Sequence, residues 1–317
     1  MIINGIDLSK VEDQRGAKVP PQVKGRVLHI DADFLAYMMS YEKKDHHIPL
    51  EDMQYNCQSA IEKMRLMAGA SSIFLHLTPS LSDKGGRGDL AIQKEYQGNR
   101  KDRDRPDKLH VLREWMAKTF PAKMYMDCEA DDGMSSQQWA KVRAGQTDLS
   151  VICSKDKDLL MVPGWHMDWD SFELQQSVDE TGNPNEFGYT YLDTSKSSSK
   201  IKGFGTKFFW GQMLTGDTAD NIMGLPFACG KHLSKPKKIG PVLADYYLSD
   251  IWNDKDAFNL VKGLYEMCGK EVGFKHWQTG EAVAWQKVFI SEAQLLWMRR
   301  DTQDAGCVLK WFKEILA

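Results

Sequence analysis

Residues 26–33 read Arg-Val-Leu-His-Ile-Asp-Ala-Asp, an apolar run that stops on two acids. The run has the length and composition of a short buried strand. The pattern recurs along the chain. Ser72-Ile-Phe-Leu-His-Leu77 reads as a second strand, Lys123-Met-Tyr-Met126 as a third, Leu149-Ser-Val-Ile-Cys153 as a fourth and Trp165-His-Met-Asp-Trp169 as a fifth. Helical spacing fills the gaps over residues 51–68 and from Asp131 through Trp139 to Val142, where Gly145 ends it. Alternating strands and helices predict an α/β fold around a mainly parallel sheet, with ligands at the carboxyl ends of the strands.

Acids follow those strand ends. Asp31 and Asp33 follow the first and Asp83 comes a few residues after the second. Cys128-Glu-Ala-Asp-Asp132 follows the third and Ser154-Lys-Asp-Lys-Asp158 the fourth, and Thr215-Gly-Asp-Thr-Ala-Asp-Asn221 adds Asp217 and Asp220. Asp156 and Asp158 alternate in an extended loop, so their side chains point the same way. One helical turn would put Asp217 and Asp220 on one face, and Glu129 and Asp132 share that spacing. Carboxylates gathered in one cleft repel each other unless protonated or loaded with cations. Oxygen ligands without His or Cys select magnesium or manganese over zinc, and two such ions suit in-line attack on a phosphodiester.

The rest of the chain sets bounds. Its 317 residues (36.1 kDa) are 42% apolar and 27% charged, a folded protein of one large or two smaller domains. No apolar run approaches the ~18 residues of a membrane helix. The start, Met1-Ile-Ile-Asn-Gly-Ile-Asp-Leu-Ser-Lys10, lacks the features of a secretory signal. Six widely spaced cysteines without C-x-x-C argue against a zinc knuckle or a disulfide scaffold and predict reduced thiols in a cytoplasm. The net charge of −3 excludes a globally basic nucleic-acid binder but not local separation of charge. Lys94 to Lys118 is rich in Lys and Arg, and Asn221 to Ala244 carries Lys231, Lys235, Lys237 and Lys238 with no acid. Beside an acidic cleft, such patches read as a nucleic-acid track. Residues 1–22 read as a polar arm, 196–207 as a loop, and the chain after about 208 as helical, with Trp277, Trp285, Trp297 and Trp311 packing it. Phe208, Phe209 and Trp210 read as core ahead of base-stacking groups.

Taken in order, the first, third, fourth and last acid motifs and Glu95-Tyr-Gln-Gly-Asn-Arg100 resemble the motifs of the 5′-nuclease family, the flap endonucleases and phage-type 5′→3′ exonucleases. The likeness runs from about residue 26 to 245. It implies a PIN-like catalytic domain over 23–207 with an arch at about 78–118. A helix-three-turn-helix that grips duplex backbone and further C-terminal helices would follow over 208–317. It implies that Asp31, Asp83, Glu129 and Asp131 hold one magnesium. Asp132, Asp156, Asp158 and Asp217 would serve the second or its shell, with Asp220 nearby. Manganese would substitute, and potassium would sit at the helix-three-turn-helix. Arg100, with Lys94 and Lys101, would face the scissile phosphate. Tyr96, Asn99, Arg103, Arg105, Lys231, Lys235, Lys237, Lys238 and Gly240 would meet DNA. The implied activity is metal-dependent hydrolysis of DNA from 5′ ends and at 5′ flaps by a monomer in phage replication or primer removal. RNA in RNA–DNA hybrids is a second substrate, and replication proteins are partners.

The chain departs from that pattern in three places. Gln97 stands where the family's arch carries a lysine that polarises the phosphate, and Lys94 or Lys101, one helical turn away, would replace it. Extra residues precede Asp83. Gly230 to Lys238 is an insertion in the hairpin segment. Two rival readings are a PIN-like ribonuclease, which would usually lack the arch and hairpin, and a structure-specific DNA-binding protein without catalysis.

Overall fold

The computed structural model describes the backbone of residues 2–3 and 6–7 and, in full, residues 19–42, 47–100, 104–179, 181–230 and 234–317. A small antiparallel pair, β1 (Ile2–Ile3) and β2 (Ile6–Asp7), comes first. Then follow β3 (Val23–Asp31), α1 (Ala32–Ser40), α2 (Leu50–Met67), β4 (Ala70–Leu77), a single turn α3 (Arg87–Leu90), α4 (Leu109–Thr119), β5 (Ala122–Met124) and α5 (Ala130–Arg143). β6 (Ser150–Cys153), β7 (Trp165–Met167) and β8 (Leu174–Gln176) complete the sheet region. After it come β9 (Tyr189–Asp193), β10 (Lys200–Phe204), α6 (Thr206–Thr215), β11 (Phe227–Ala228), β12 (Lys237–Lys238) and α7 (Pro241–Leu248). The chain closes with α8 (Asp254–Glu271), β13 (Phe274–Lys275), β14 (Ala282–Val283), α9 (Trp285–Leu296) and α10 (Cys307–Leu316).

The main sheet has the order β5-β4-β3-β6-β7-β8. Its pairs are parallel except β7 with β8. The parallel strands are the five expected from the apolar runs. Chain order moves outward from β3 to β4 and β5, then returns to β6 on the other side of β3. The sheet therefore has its switch point between β3 and β6, where an open α/β sheet leaves a crevice at the carboxyl ends. Asp31 ends β3 at that crevice, and Ser154 to Asp158 leave β6 beside it.

Strand alternation divides the core. Leu28, Ile30, Leu75, Leu77, Val151 and Cys153 pack with α1, α2 and α4 on one face. Ile152 faces the other way and joins α5, α6 and the C-terminal helices. In that second core Trp297 stacks on Trp311 with centroids 4.3 Å apart, and Phe208, Phe209 and Trp210 are buried, as expected of core residues. Trp285 packs against the same core from its edge, but Trp277 is 42% exposed and does not.

Residues 196–207, expected as a loop, are in part β10, paired antiparallel with β9. Lys200 and Lys202 face out while Ile201 and Gly203 face in, so the lysines mask a period-two strand. The hairpin segment has α6 and α7 at its two ends, and the insertion between them closes with a short antiparallel ladder, β11 with β12.

Candidate active site

Four chain segments bring carboxylates to the switch-point crevice. Asp31 caps α1 by accepting from the Phe34 N–H at 2.9 Å, and the Ser154 hydroxyl donates to its second oxygen at 2.8 Å. Asp33, in the first turn of α1, accepts from the Thr78 N–H at 2.8 Å and lies 2.9 Å from the Arg113 Nε. Glu129 caps α5, takes 2.8 Å from Arg87 and 3.0 Å from the Tyr96 hydroxyl, and stands beside Asp131. Asp156 caps the 3-10 turn that follows β6, accepting from the Asp158 N–H at 2.9 Å. Asp158, Asp217 and Asp220 each place an oxygen within 4.8 Å of the others.

Asp217 and Asp220 converge without the helical turn expected of them. The Asp217 N–H donates to the Ile222 carbonyl at 2.9 Å and the reverse bond is 2.7 Å, so the segment is a closed loop that folds Asp220 back. Gly216 and Gly224, both at positive φ, permit it: a Cβ on Gly224 would lie 2.3 Å from the Gly216 nitrogen.

Repulsion is visible in the acidities. Burial, then the neighbouring Asp33, raises Asp31 to about 6. Burial likewise raises Asp156 to about 6, with Asp220 and Asp31 adding to it. Asp131 is pushed well above the usual range by burial and then by Asp156, Asp31 and Glu129. Among the described residues Asp131 has no hydrogen-bond or ionic partner. The Asp217 Oδ2 is buried without a hydrogen bond. Lys157 lies 2.6 Å from Asp158 and 3.0 Å from Asp217 and holds Asp217 below its ordinary value against the effect of burial. All-oxygen donors, mutual repulsion and unpartnered buried oxygens fit a hard divalent cation such as magnesium or manganese.

Two expected ligands stand apart. Asp83 is exposed and caps a turn, accepting from the Gly85 N–H at 2.7 Å, because the extra residues after β4 carry it away from the strand end. Asp132 is fully buried and takes both Arg87 nitrogens at 2.8 Å and the Arg299 N–H at 3.1 Å. Burial alone would raise Asp132, but Arg87 holds it below its ordinary range. Its oxygens are committed to joining α5 to the segment after α9, so it is a lock and not a free ligand. Asp33, Lys84, Arg87 and Arg113 were not singled out as site residues; Asp33 alone had a signal, as the second acid after the first strand.

No protein-family model and no curated protein sequence matches this chain. Solved structures do. A bacteriophage T5 flap endonuclease, in a pseudo-enzyme-product complex with DNA and metal ions, matches with a TM-score of 0.54 at 15% identity over 92% of this chain and 98% of that one. The T5 protein co-crystallised with metal ions matches with a TM-score of 0.52, at the same identity and coverage. The T5 5′-exonuclease with bound zinc matches with a TM-score of 0.50 at 16% identity, again over 92% of this chain and 98% of that one. The chain has the 5′-nuclease fold.

In this 5′-nuclease fold the Glu95–Arg100 motif docks on the Asp217–Ile222 loop. The Gln97 N–H donates to the Asp220 carbonyl at 2.9 Å, Asn99 to the Thr218 carbonyl at 2.9 Å and the Arg100 Nε to the Ala219 carbonyl at 3.1 Å. The Arg100 guanidinium also pairs with Asp220. Tyr96 is turned inward, its hydroxyl between Glu129 and Asp220, so it orders acids in place of meeting DNA. Asn99 is likewise committed to the loop, although it is exposed. No α-helix spans residues 94–100: Gln97 has φ +53° and a 3-10 turn follows over Gly98–Arg100. Lys94 is exposed and does not line the cleft, so the helical-turn argument for it fails. Lys101, Arg103 and Lys231 lie outside the described residues. Arg105 is exposed at the rim of the cleft, which has a volume of about 360 Å³. Lys235, Lys237 and Lys238 are exposed, and Gly240 caps α7. Among the described residues no helix is long and apolar enough to cross a membrane.

Proposed function

We propose that this chain is a divalent-metal-dependent 5′ nuclease that hydrolyses DNA from 5′ ends and at 5′ flaps. The observation that carries the reading is Asp131, half-buried among Asp31, Glu129 and Asp156 with no partner of opposite charge among the described residues. Asp31, Glu129, Asp131 and Asp156 would hold one ion, and Asp158, Asp217 and Asp220 a second. Bound magnesium or manganese there supplies water activation and charge neutralisation at a phosphodiester. In the reaction, water adds to phosphorus and the bond to the 3′ oxygen breaks. One water proton ends on that oxygen and the other leaves to solvent, giving a 5′-phosphate and a 3′-hydroxyl. Arg100 and Arg113 keep positive charge at the cleft, and Tyr96 and Ser154 hold acids in position. Lys235, Lys237 and Lys238 grip the duplex backbone, and the hairpin between α6 and α7 takes potassium. RNA strands of hybrids are a second substrate, and primer removal in phage replication with replication proteins is the setting. Product sizes from 5′-labelled flap, nicked and blunt duplexes and an RNA–DNA hybrid test this. Short 5′-labelled products cut near the flap junction support it, and intact substrates refute it.

A further inference from the structure

Arg113, Arg100 and Lys157 are each paired with a carboxylate of the site: Asp33, Asp220, and both Asp158 and Asp217. Lys84 also lines the cleft and acts on Glu129 at longer range, yet among the described residues it forms no ion pair with an acid. Its ammonium donates instead to the neutral Gln97 Oε1. The Gln97 amide nitrogen faces the acids, 3.2 Å from Asp220 and 3.4 Å from Glu129. That charge pattern fixes which way the amide points: oxygen to the cation, nitrogen to the anions.

The backbone reinforces the placement. Lys84 and Gln97 have φ +52° and +53°, left-handed conformations that a non-glycine residue keeps only where the surroundings impose them. Those surroundings are well defined. The Ser82 hydroxyl donates to the Met126 carbonyl at 2.9 Å, the Lys84 N–H donates to Ser82 at 3.1 Å, and Arg299 donates to the Gly85 carbonyl at 2.6 Å. A rigid turn thus aims a cation across the cleft at position 97.

Building on the nuclease reading, we propose that Lys84 is a catalytic residue that meets the scissile phosphate, with Gln97 holding its ammonium until substrate arrives. The cation comes from the turn after β4, not from the Glu95–Arg100 motif. A phosphate oxygen exchanges for the Gln97 oxygen and keeps the charge that develops in flight beside the ammonium.

Single-turnover cleavage of a 5′ flap in magnesium tests this with the parent, Lys84→Ala, Lys84→Gln and Lys84→Ala combined with Gln97→Lys. Loss of a transition-state cation predicts a rate about 100-fold lower for both single variants, with recovery of about 10-fold in the double variant. Flap affinity in calcium and the melting temperature stay near the parent's for Lys84→Gln. Independently of cleavage, flap bound in calcium should protect Lys84, but not Lys94, from reductive methylation. A parent that cleaves while both single variants cleave equally fast, or unprotected Lys84 in the complex, overturns the assignment. A parent that cleaves no flap overturns the nuclease reading and Lys84's role with it.

Discussion

Arg87 grips both oxygens of Asp132, each at 2.8 Å, with the two side chains buried beneath the acidic cleft. Asp131, its neighbour in sequence, faces only other acids. The two should therefore respond oppositely to substitution. Arg87→Met strips buried Asp132 of its bidentate partner, leaving only Arg299 beside it, and should lower stability by about 3–5 kcal/mol. Asp131→Asn relieves repulsion, so urea unfolding in chelator should show equal or higher stability. Its cleavage rate should fall at least ~100-fold, about 2.7 kcal/mol of transition-state stabilisation. Matched stability losses in the two variants would contradict the division.

Tyr96 donates between Glu129 and Asp220, at 3.0 and 3.2 Å. Tyr96→Phe keeps the ring but removes the donor. Half-maximal cleavage should then need several-fold more magnesium, while flap affinity in calcium stays unchanged. A loss of DNA affinity with unaltered magnesium dependence would return Tyr96 to the DNA surface.

Lys237 and Lys238 lie exposed on β12 with no acid paired to them among the described residues. Replacing both by Ala should flatten the dependence of log affinity on log salt by roughly two units, since the slope tracks phosphates neutralised. The single-turnover rate at saturating enzyme should not change. An unaltered slope in a fluorescence-anisotropy titration would show that β12 does not meet the duplex.

Burial pushes His29 and His166 down to about 4 from an ordinary 6.5. The folded state keeps both neutral while the unfolded chain protonates them, so the unfolded state binds more protons between pH 6.5 and 4. Stability from these groups is full above 6.5 and is lost as pH falls through that window, by roughly 3 kcal/mol per histidine. Asp31 and Asp156, raised to about 6, have the opposite sign: their contribution is present below 3.8 and lost as pH rises through 6. Urea unfolding of the parent and His166→Gln at pH 7 and 4.5 separates the two. The variant should lose less stability on acidification, and an equal loss would place the titration elsewhere.

The parallel strands were legible because each is a run of apolar residues bounded by polar turns, as in Arg26–Ile30. The acid motifs were legible because they follow those strands directly. What was hidden depends on contacts between distant segments. Nothing in Cys128–Asp132 distinguishes Asp131 from Asp132; the difference is an arginine at position 87. Spacing placed Asp217 and Asp220 on a helix, whereas back-to-back glycines fold them into a closed loop. Helical periodicity offered Lys94 and Lys101 as replacements for a cation at Gln97. A left-handed residue at 97 ends any such periodicity, and the cation that reaches it comes from the turn after β4. The lysines of β10 disguised a strand as a loop.

Under the proposed function the carboxylate cleft cuts DNA only with a hard divalent ion in it. The most direct measurement is single-turnover cleavage of one 5′-labelled flap duplex in magnesium, in manganese, in calcium and in chelator. Cleavage is expected in magnesium and manganese, binding with little hydrolysis in calcium, whose looser geometry positions water poorly, and none in chelator. Cleavage in chelator at the magnesium rate, or no cleavage in either magnesium or manganese, would contradict it.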